Sequence, residues 1–235
     1  MSPAPQYAMV TGASSGIGRA IAHALLADGM HVYLVGRDAT RLNEVARSSP
    51  SRTTVVRADL ATQQGITTTA QAAGAHLHVL VHSAGAYLRA PATALSVEQW
   101  EHLDRLNLYA PVLLTAACRA ALRATGGDVV FINSSAGLRP AKEVAAYAAG
   151  KHALHAASDA LRQELNPDGI RVLSVFPGRT NTPMQRQVLQ LEGRTPDPAS
   201  LMRPEDVARM VMAALKLPRS AEVTDIIMRP MRPLP

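Results

Sequence analysis

A tyrosine and a lysine four residues apart, Tyr147 and Lys151, are the pair in this sequence best suited to proton chemistry. Four helical residues turn slightly more than a full circle, so both side chains project from one helix face. A free phenol has a pKa near 10, and a neighbouring ammonium group favours its phenolate form. Ser134 lies thirteen residues before Tyr147, after an apolar run, where a strand end can present its hydroxyl to the same oxygen atom. Although an isolated YxxxK pair usually marks a plain surface helix, the three residues together predict general acid–base chemistry.

A glycine-rich segment near the N-terminus predicts a phosphate-binding turn. The apolar residues 7–10 are followed by Thr11-Gly-Ala-Ser-Ser-Gly-Ile-Gly18 and then by an amphipathic helical pattern. Glycines allow a sharp turn and the close approach of a ligand, and free N–H groups at a helix start face an anion. The GxxxGxG spacing alone is weak, but its position directly after the first predicted strand strengthens the prediction.

The remaining hydrophobic patterns predict strands that alternate with six helices. The seven predicted strands cover residues 7–10, 31–35, 53–56, 77–81, 128–132, 170–176 and 222–228. Long helical patterns cover residues 97–123 and 145–165, whereas the proline- and glycine-containing segment 179–203 predicts a mobile substrate-binding lid rather than core, with few core-type residues in its part 185–195. This alternation predicts one α/β domain over residues 1–235, with a doubly wound, seven-stranded parallel sheet and helices on both faces.

The segments with chemical potential all follow predicted strands. In a doubly wound sheet, ligands bind beyond the carboxyl ends of the strands. The positions that converge there are the glycine-rich turn, Arg37, Asp59, the turn at Gly85, Ser134 and Pro177-Gly178. The convergence predicts a nucleotide-dependent site at this edge of the sheet.

Composition and charge argue against several other functions. The chain has 235 residues, of which 47% are hydrophobic, and no apolar run long enough to cross a bilayer. We predict no signal peptide and a cytoplasmic location, consistent with the single cysteine, Cys118. The net charge of +6 raises the question of nucleic acid, but the basic residues are scattered and only 3% of residues are aromatic. Neither a nucleic-acid partner nor a membrane partner is therefore predicted.

Taken together, these motifs resemble those of the short-chain dehydrogenase/reductase family, over essentially the whole chain. The resemblance implies a Rossmann fold, an NAD(P) cofactor and a small carbonyl or alcohol substrate. The glycine-rich turn resembles the family's cofactor motif, Asp59-Leu60 its adenine contact, and the segment after Pro177 its nicotinamide contact. The implied cofactor-binding residues, besides Tyr147 and Lys151, are Gly12, Ser14, Ser15, Gly16, Ile17, Gly18, Arg37, Asp59, Leu60, Ser83, Ala84, Gly85, Pro177, Gly178, Thr180 and Thr182.

The resemblance also implies a catalytic tetrad of Asn107, Ser134, Tyr147 and Lys151. Tyr147 is expected to donate a proton to a carbonyl oxygen while a reduced nicotinamide delivers hydride to the carbon, or the reverse. Ser134, preferred over Ser135 for its spacing, is expected to orient that oxygen. Lys151 is expected to lower the pKa of Tyr147 and to hold the ribose, and Asn107 to support a water molecule. Because all four residues are present, an oxidoreductase is favoured over the alternative, an NAD(P)-binding regulatory protein without catalysis.

The end of the second predicted strand bears on the choice of cofactor. A carboxylate there accepts hydrogen bonds from the adenosine ribose, whereas an arginine offers a planar fork to a 2′-phosphate. The position reads Gly36-Arg37, and Asp38 is expected to cap the next helix. Relatives that prefer NADP often carry a second basic residue where this chain has Ser15. One arginine predicts a moderate preference for NADPH, with NAD still possible.

Substrate contacts are expected from residues on predicted loops, namely Tyr87, Arg139 and Met184, with Leu88 and Leu189 nearby. Arg139 is a candidate for a substrate carboxylate, although a solvated arginine is the simpler interpretation. The natural substrate itself is not readable from the sequence.

Three histidines and one helix complete the predictions. His82 stands where the family usually has asparagine, which bears on local stability more than on activity. His152 and His155 point away from the face of Lys151 and lack an evident third ligand, so no metal site is predicted. The alanine-rich segment 145–165 either packs on its copy in a homodimer or homotetramer or forms an ordinary core-facing stripe.

Overall fold

The computed structural model describes residues 5–195 and 197–232. Residues 1–4, part of the stretch for which no signal peptide is predicted, lie outside the described residues, as does residue 196 within the predicted lid.

One parallel sheet of seven strands occupies the centre of the described chain, in the order β3-β2-β1-β4-β5-β6-β7. The order runs outward from β1 in one direction and from β4 in the other, which is the doubly wound arrangement predicted from the sequence. A crevice for ligands opens where the winding reverses, between β1 and β4. The strands are β1 Tyr7–Thr11, β2 His31–Gly36, β3 Thr53–Arg57, β4 Val79–His82, β5 Asp128–Ile132, β6 Arg171–Pro177 and β7 Asp225–Met228.

Helices cover both faces of the sheet, as predicted. They are α1 Gly16–Ala27, α2 Ala39–Ala46, α3 Gln63–Ala72, α4 Val97–Asp104, α5 Ala110–Arg123, α6 Ala145–Leu165, α7 Pro183–Leu191 and α8 Pro204–Leu215. Helices α1, α2 and α8 pack on one face, and α3, α5 and α6 pack on the other. A π-helical turn, Arg105–Tyr109, joins α4 to α5 within the predicted long helix. No helix in the described ranges is long and apolar enough to cross a membrane.

Helix α7 corrects the expectation for the predicted lid. Six helices were expected and this one was missed, because Pro183 and Gly193 resemble breaks within a loop. In fact Pro183 occupies the first helical turn, and Gly193 follows the helix end with φ of 67°. Leu189 is fully buried and Leu201 is also buried, so the segment contributes side chains to the core.

Candidate active site

A cleft of about 710 Å³ runs along the carboxyl ends of the strands. It extends from the glycine-rich turn after β1 to the inner face of α7. The predicted site residues that line it are Gly12, Ser14, Ser15, Gly16, Ile17, Arg37, Asp59, Leu60, Ser83, Ala84, Gly85, Tyr87, Asn107, Ser134, Tyr147, Lys151, Pro177, Gly178, Thr180, Thr182 and Met184. The fold thus brings together residues that are more than 170 positions apart in the chain.

Two predicted site residues, Gly18 and Arg139, do not line the cleft. Gly18 lies behind the turn, where an added Cβ would come 2.4 Å from the Gly12 carbonyl oxygen, so it permits close packing of α1. Arg139 is exposed beyond the short turn after β5, which corrects its assignment to the substrate pocket. Leu88 and Leu189 also lie outside the lining, and Leu189 is fully buried.

Ser134 and Tyr147 meet at the centre of the cleft. Both side chains line the cleft, Ser134 influences the pKa of Tyr147, and the Ser134 hydroxyl accepts a hydrogen bond of 3.1 Å from the Ala136 N–H. Lys151 is almost fully buried one helical turn after Tyr147, and its Nζ donates to the Ile132 carbonyl oxygen at 3.0 Å. These contacts hold a hydroxyl pair and an ammonium group at one point of the cleft.

Burial has the largest effect on the pKa values of both Tyr147 and Lys151. It raises the pKa of Tyr147 above its ordinary value, an effect that Ser134 reduces and the nearby Tyr87 increases. The net direction is opposite to the lowered pKa expected from the sequence, because removal from water outweighs the effect of Ser134. Burial also lowers the pKa of Lys151 to about 8. At neutral pH the tyrosine is therefore protonated.

Asn107 lies in the π-helical turn, a feature that often accompanies functional sites. Its side-chain oxygen accepts a hydrogen bond from the Ala86 N–H at 3.0 Å, and its amide donates to the Ala86 carbonyl at 2.9 Å. An added Cβ on Gly85 would come 2.9 Å from the Asn107 oxygen, so the close approach requires glycine. Asn107 thus holds the loop after β4 against the cleft, while its support of a water molecule stays a prediction.

Two polar side chains missed by the sequence analysis position this site. The buried Asn133 donates to the Lys151 carbonyl at 3.1 Å and accepts from the Ser134 N–H at 2.9 Å, which ties the end of β5 to α6. The Thr11 hydroxyl accepts hydrogen bonds from the N–H groups of Ser83 and Ala84 at 3.0 and 3.1 Å. Both residues act through backbone groups that only the fold brings near them.

His82, which stands in place of the family's asparagine, is buried beneath the cleft. Its ring stacks on Phe131 at 5.0 Å, and its Nε2 lies 2.8 Å from the Thr115 hydroxyl. Because that hydroxyl already donates to the Pro111 carbonyl, the His82 nitrogen is the donor. Burial, followed by the charge of Lys151, lowers the pKa of His82 to about 3. His82 is thus a neutral link between β4 and α5.

The far end of the cleft contains two arginines. Asp38 caps α2 as predicted, with its carboxylate accepting from the Arg41 N–H at 3.1 Å and pairing with the Arg41 guanidinium at 3.3 Å. Arg37 and Arg41 both line the cleft, and Arg37 is exposed. The second arginine was missed because it returns to the same side one helical turn later.

A cluster of ion pairs fixes the C-terminal end of α7 beside the cleft. Glu192 pairs with both terminal nitrogens of Arg179 at 2.8 and 2.9 Å, and with Arg89 at 3.1 Å. Arg89 also pairs with Glu143 at 2.9 Å. Burial raises the pKa of Glu192, but the hydrogen bond and charge of Arg179, with the charge of Arg89, hold it below its ordinary value.

Glu192→Gln should lower the free energy of unfolding by about 1–3 kcal/mol at pH 7, because two half-buried arginines lose their shared carboxylate. A folded-state pKa below the ordinary 4.5 means that this stability is present above pH 4.5 and is lost as the pH falls through the lowered value. Urea unfolding across pH 3–7 measures it. Glu101→Gln, which breaks an exposed pair with Arg105, is the control and should cost under about 0.5 kcal/mol. Equal effects of the two variants would contradict the assignment.

His155 has more partners than the sequence indicates. Its Nε2 lies 3.6 Å from Asp159 and 3.7 Å from Asp225, and its ring contacts Phe176 edge-on. Asp225 comes from β7 and is distant in sequence, so the expectation that no third ligand is near is corrected. Arg162 pairs with Asp159 at 2.7 Å. Arg162 offsets the charge of Asp159, the cluster lies outside the cleft, and we assign no metal to it.

Comparison with known proteins places the chain in a family context. The short chain dehydrogenase family matches residues 6–193. An uncharacterized oxidoreductase of Staphylococcus epidermidis is 34% identical over 229 residues, which cover 96% of this chain and 97% of the relative. An alcohol dehydrogenase from the archaeon Thermococcus sibiricus, solved with 5-hydroxy-NADP, superposes with a TM-score of 0.87 at 25% identity, covering 98% of both chains. A putative NAD(P) dependent gluconate 5-dehydrogenase from Beutenbergia cavernae, solved with bound NADP, has a TM-score of 0.85 at 32% identity and 95% coverage of both.

Proposed function

The chain belongs to the short chain dehydrogenase family, and we propose that it is an NADP(H)-dependent enzyme that reduces a ketone or aldehyde to an alcohol, or catalyses the reverse. The observation that carries the proposal is that Tyr147 and Lys151, one helical turn apart and both buried, line the same cleft as Ser134. Nucleotide-dependent dehydrogenases and reductases of this family share the fold described above. The specific proposal concerns the reaction and the residues that perform it.

The cleft fits a dinucleotide by the chemistry of its donors. Ser15 makes no side-chain capping bond, so the first N–H groups of α1 remain available to a pyrophosphate. Gly12 adopts φ of 67°, a conformation that favours glycine, and the absence of a side chain at this position leaves room for a ligand to approach the turn. NADP-bound relatives of the same fold support this assignment. The residues proposed to hold the cofactor are those of the turn, Arg37 and Arg41 at the 2′-phosphate, Asp59 and Leu60 at adenine, Ser83 to Gly85, and Pro177, Gly178, Thr180 and Thr182 near the nicotinamide.

The chain's own residues manage the proton. When bound, reduced NADP supplies the hydride that adds to the carbonyl carbon. Tyr147 is protonated at neutral pH, so its hydroxyl is ready to give a proton to the carbonyl oxygen as charge develops there. Ser134, fixed by the Ala136 N–H, is placed to donate to the same oxygen and orient it. Lys151 holds positive charge near the resulting phenolate until solvent returns the proton.

A cofactor-binding regulator without catalysis is less well supported. Such a protein has no need of Ser134 and Tyr147 in one cleft or of a buried lysine beside them. The proposal is tested by NADPH oxidation against a panel of ketones, quinones and aldehydes. Turnover of any compound in the panel that disappears when Tyr147 is replaced by phenylalanine supports the proposed reaction. NADPH binding without turnover of any compound in the panel favours the regulator. A cytoplasmic location and a homodimeric or homotetrameric assembly stay predictions.

Arg37→Ala should remove most of a preference for NADPH over NADH. A charge-assisted hydrogen bond to a phosphate contributes about 1.5–3 kcal/mol, and we expect the lower end, about tenfold in kcat/KM, because Arg37 is exposed. Arg41→Ala should have a smaller effect, since Asp38 already pairs with it. Steady-state rates with both cofactors measure the preference. Arg47→Ala, an exposed arginine just beyond α2, is the control. Equal kcat/KM values in the unmodified protein would refute the preference.

A further inference from the structure

Gln185 holds a buried polar atom without a partner. Among the described residues, its Nε2 is the one buried side-chain nitrogen or oxygen that makes no hydrogen bond. A donor left unpaired inside a protein costs free energy, and native structures keep few of them. Gln185 lines the cleft. A donor of this kind in a binding cleft indicates an acceptor on a ligand.

The side chain is presented by a firmly held element. Gln185, Val188 and Glu192 are spaced at helical intervals and line the cleft along one face of α7. Leu189, one helical turn after Gln185 on the same side of α7, is fully buried and anchors the helix, and the pairing of Glu192 with Arg179 fixes the end of the helix. Gln185 is therefore positioned by the scaffold rather than by a free loop.

Another part of the lining of the same cleft is aromatic. Tyr87 packs edge-to-face on Tyr147, with ring centroids 5.1 Å apart. The charges of Arg89, Glu192 and Arg179 all influence the titration of Tyr87, which places it near the charged end of α7. A substrate at Tyr147 thus lies in a cleft that is lined by both Tyr87 and the Gln185 face of α7.

The charges around this space favour an uncharged substrate group. Arg89 and Arg179, whose charges act on Tyr87, already share the carboxylate of Glu192. A substrate carboxylate has to displace Glu192 to reach either guanidinium. An amide donor, in contrast, suits a neutral oxygen such as a hydroxyl or a second carbonyl.

We propose that the Gln185 amide donates a hydrogen bond to a second, uncharged oxygen on the substrate, so that the enzyme selects oxygenated carbonyl compounds over plain ketones. The inference rests on the proposed function for the identity of the reacting carbonyl. Sites built to hydrogen-bond a substrate oxygen reject analogues that lack it, because the donor is then left unpaired.

Matched substrates test the selection. Hydroxyacetone and butanone differ by a hydroxyl in place of a methyl group, and we expect kcat/KM to favour hydroxyacetone by about tenfold. Gln185→Leu should remove that difference, with butanone changed less than about twofold. Gln187→Leu, an exposed glutamine on the same helix, is the control and should leave the selectivity intact. Parallel losses on both substrates in Gln185→Leu would overturn the proposal.

A binding measurement tests the contact without turnover, so failure of the proposed reaction and failure of this inference are distinguishable. The side-chain amide NMR signal of Gln185 is assigned in ¹⁵N-labelled protein by its loss in Gln185→Leu. With NADP⁺ present, propylene glycol should shift the signal and sec-butanol should not. If NADP⁺ alone already produced the full shift of the Gln185 signal, or if both alcohols shifted it equally, the proposal would be overturned. The melting temperature of Gln185→Leu without ligand should equal or exceed that of the unmodified protein, whereas a clear drop would assign Gln185 a structural role instead.

Discussion

Replacing Tyr147 by phenylalanine should reduce turnover by at least about 10²-fold while cofactor binding is retained, the usual scale for a general acid. Phenylalanine keeps the ring that packs against Tyr87 and removes only the hydroxyl. Because burial raises the pKa of that hydroxyl, the substitution removes a group that is protonated at neutral pH and able to act as an acid. Steady-state kinetics together with a titration of NADPH binding measure both parts of the expectation.

The control for this variant is Tyr109→Phe, which removes a half-exposed hydroxyl in the π-helical turn. That variant should keep full activity and the same affinity for NADPH. A Tyr147→Phe protein with unreduced turnover would remove Tyr147 from its catalytic role. A protein that loses NADPH binding along with turnover would point instead to a collapsed cleft.

The arrangement of strands was predictable because periodicity and glycine position are local properties. The apolar strand patterns and the glycine-rich turn after β1 are enough to predict a doubly wound sheet. Because ligands of such sheets bind beyond the carboxyl ends of the strands, most of the cleft residues could then be predicted as well. The predicted substrate contact of Arg139 is wrong for a local reason as well. It lies two residues beyond a tight turn that directs it into solvent, and sequence spacing does not encode that direction.

The parts that were not predictable depend on pairing between distant segments. Asn133 and Thr11 act on backbone groups 18 and about 70 residues away, so no local pattern marks them. Helix α7 was not predicted because a proline and a glycine occur both at the two ends of a helix and within loops, and the sequence does not distinguish the two cases. The pKa of Tyr147 depends on its depth in the cleft, which a YxxxK spacing leaves undetermined. Gln185 is distinguished only by what it lacks, a hydrogen-bond partner.

Lys151→Met should reduce turnover by at least about 10²-fold and also weaken NADPH binding, because one cation serves both roles in the proposed site. Methionine nearly matches the length of the lysine stem and fits the buried position. The effect on NADPH affinity separates the two roles, since a loss of rate alone would remove the proposed ribose contact. Lys142→Met is the control, because the Lys142 side chain is 89% exposed.

The same variant should change how stability depends on pH. Burial lowers the pKa of Lys151 from 10.5 to about 8, so the charged form opposes folding. Below pH 8 the folded and unfolded chains both carry the proton, and the cost of the buried charge is at its full value. Between pH 8 and 10.5 the unfolded chain keeps a proton that the folded chain has released, so the unmodified protein gains stability relative to Lys151→Met as the pH rises, by about 3 kcal/mol over the window. Urea unfolding of both proteins between pH 7 and 10.5 measures the difference, in which the titration of all other groups cancels. Lys142→Met should differ from the unmodified protein by a constant amount across this range, and a similarly constant difference for Lys151→Met would contradict the buried, weakly basic lysine on which the proposed proton chemistry depends.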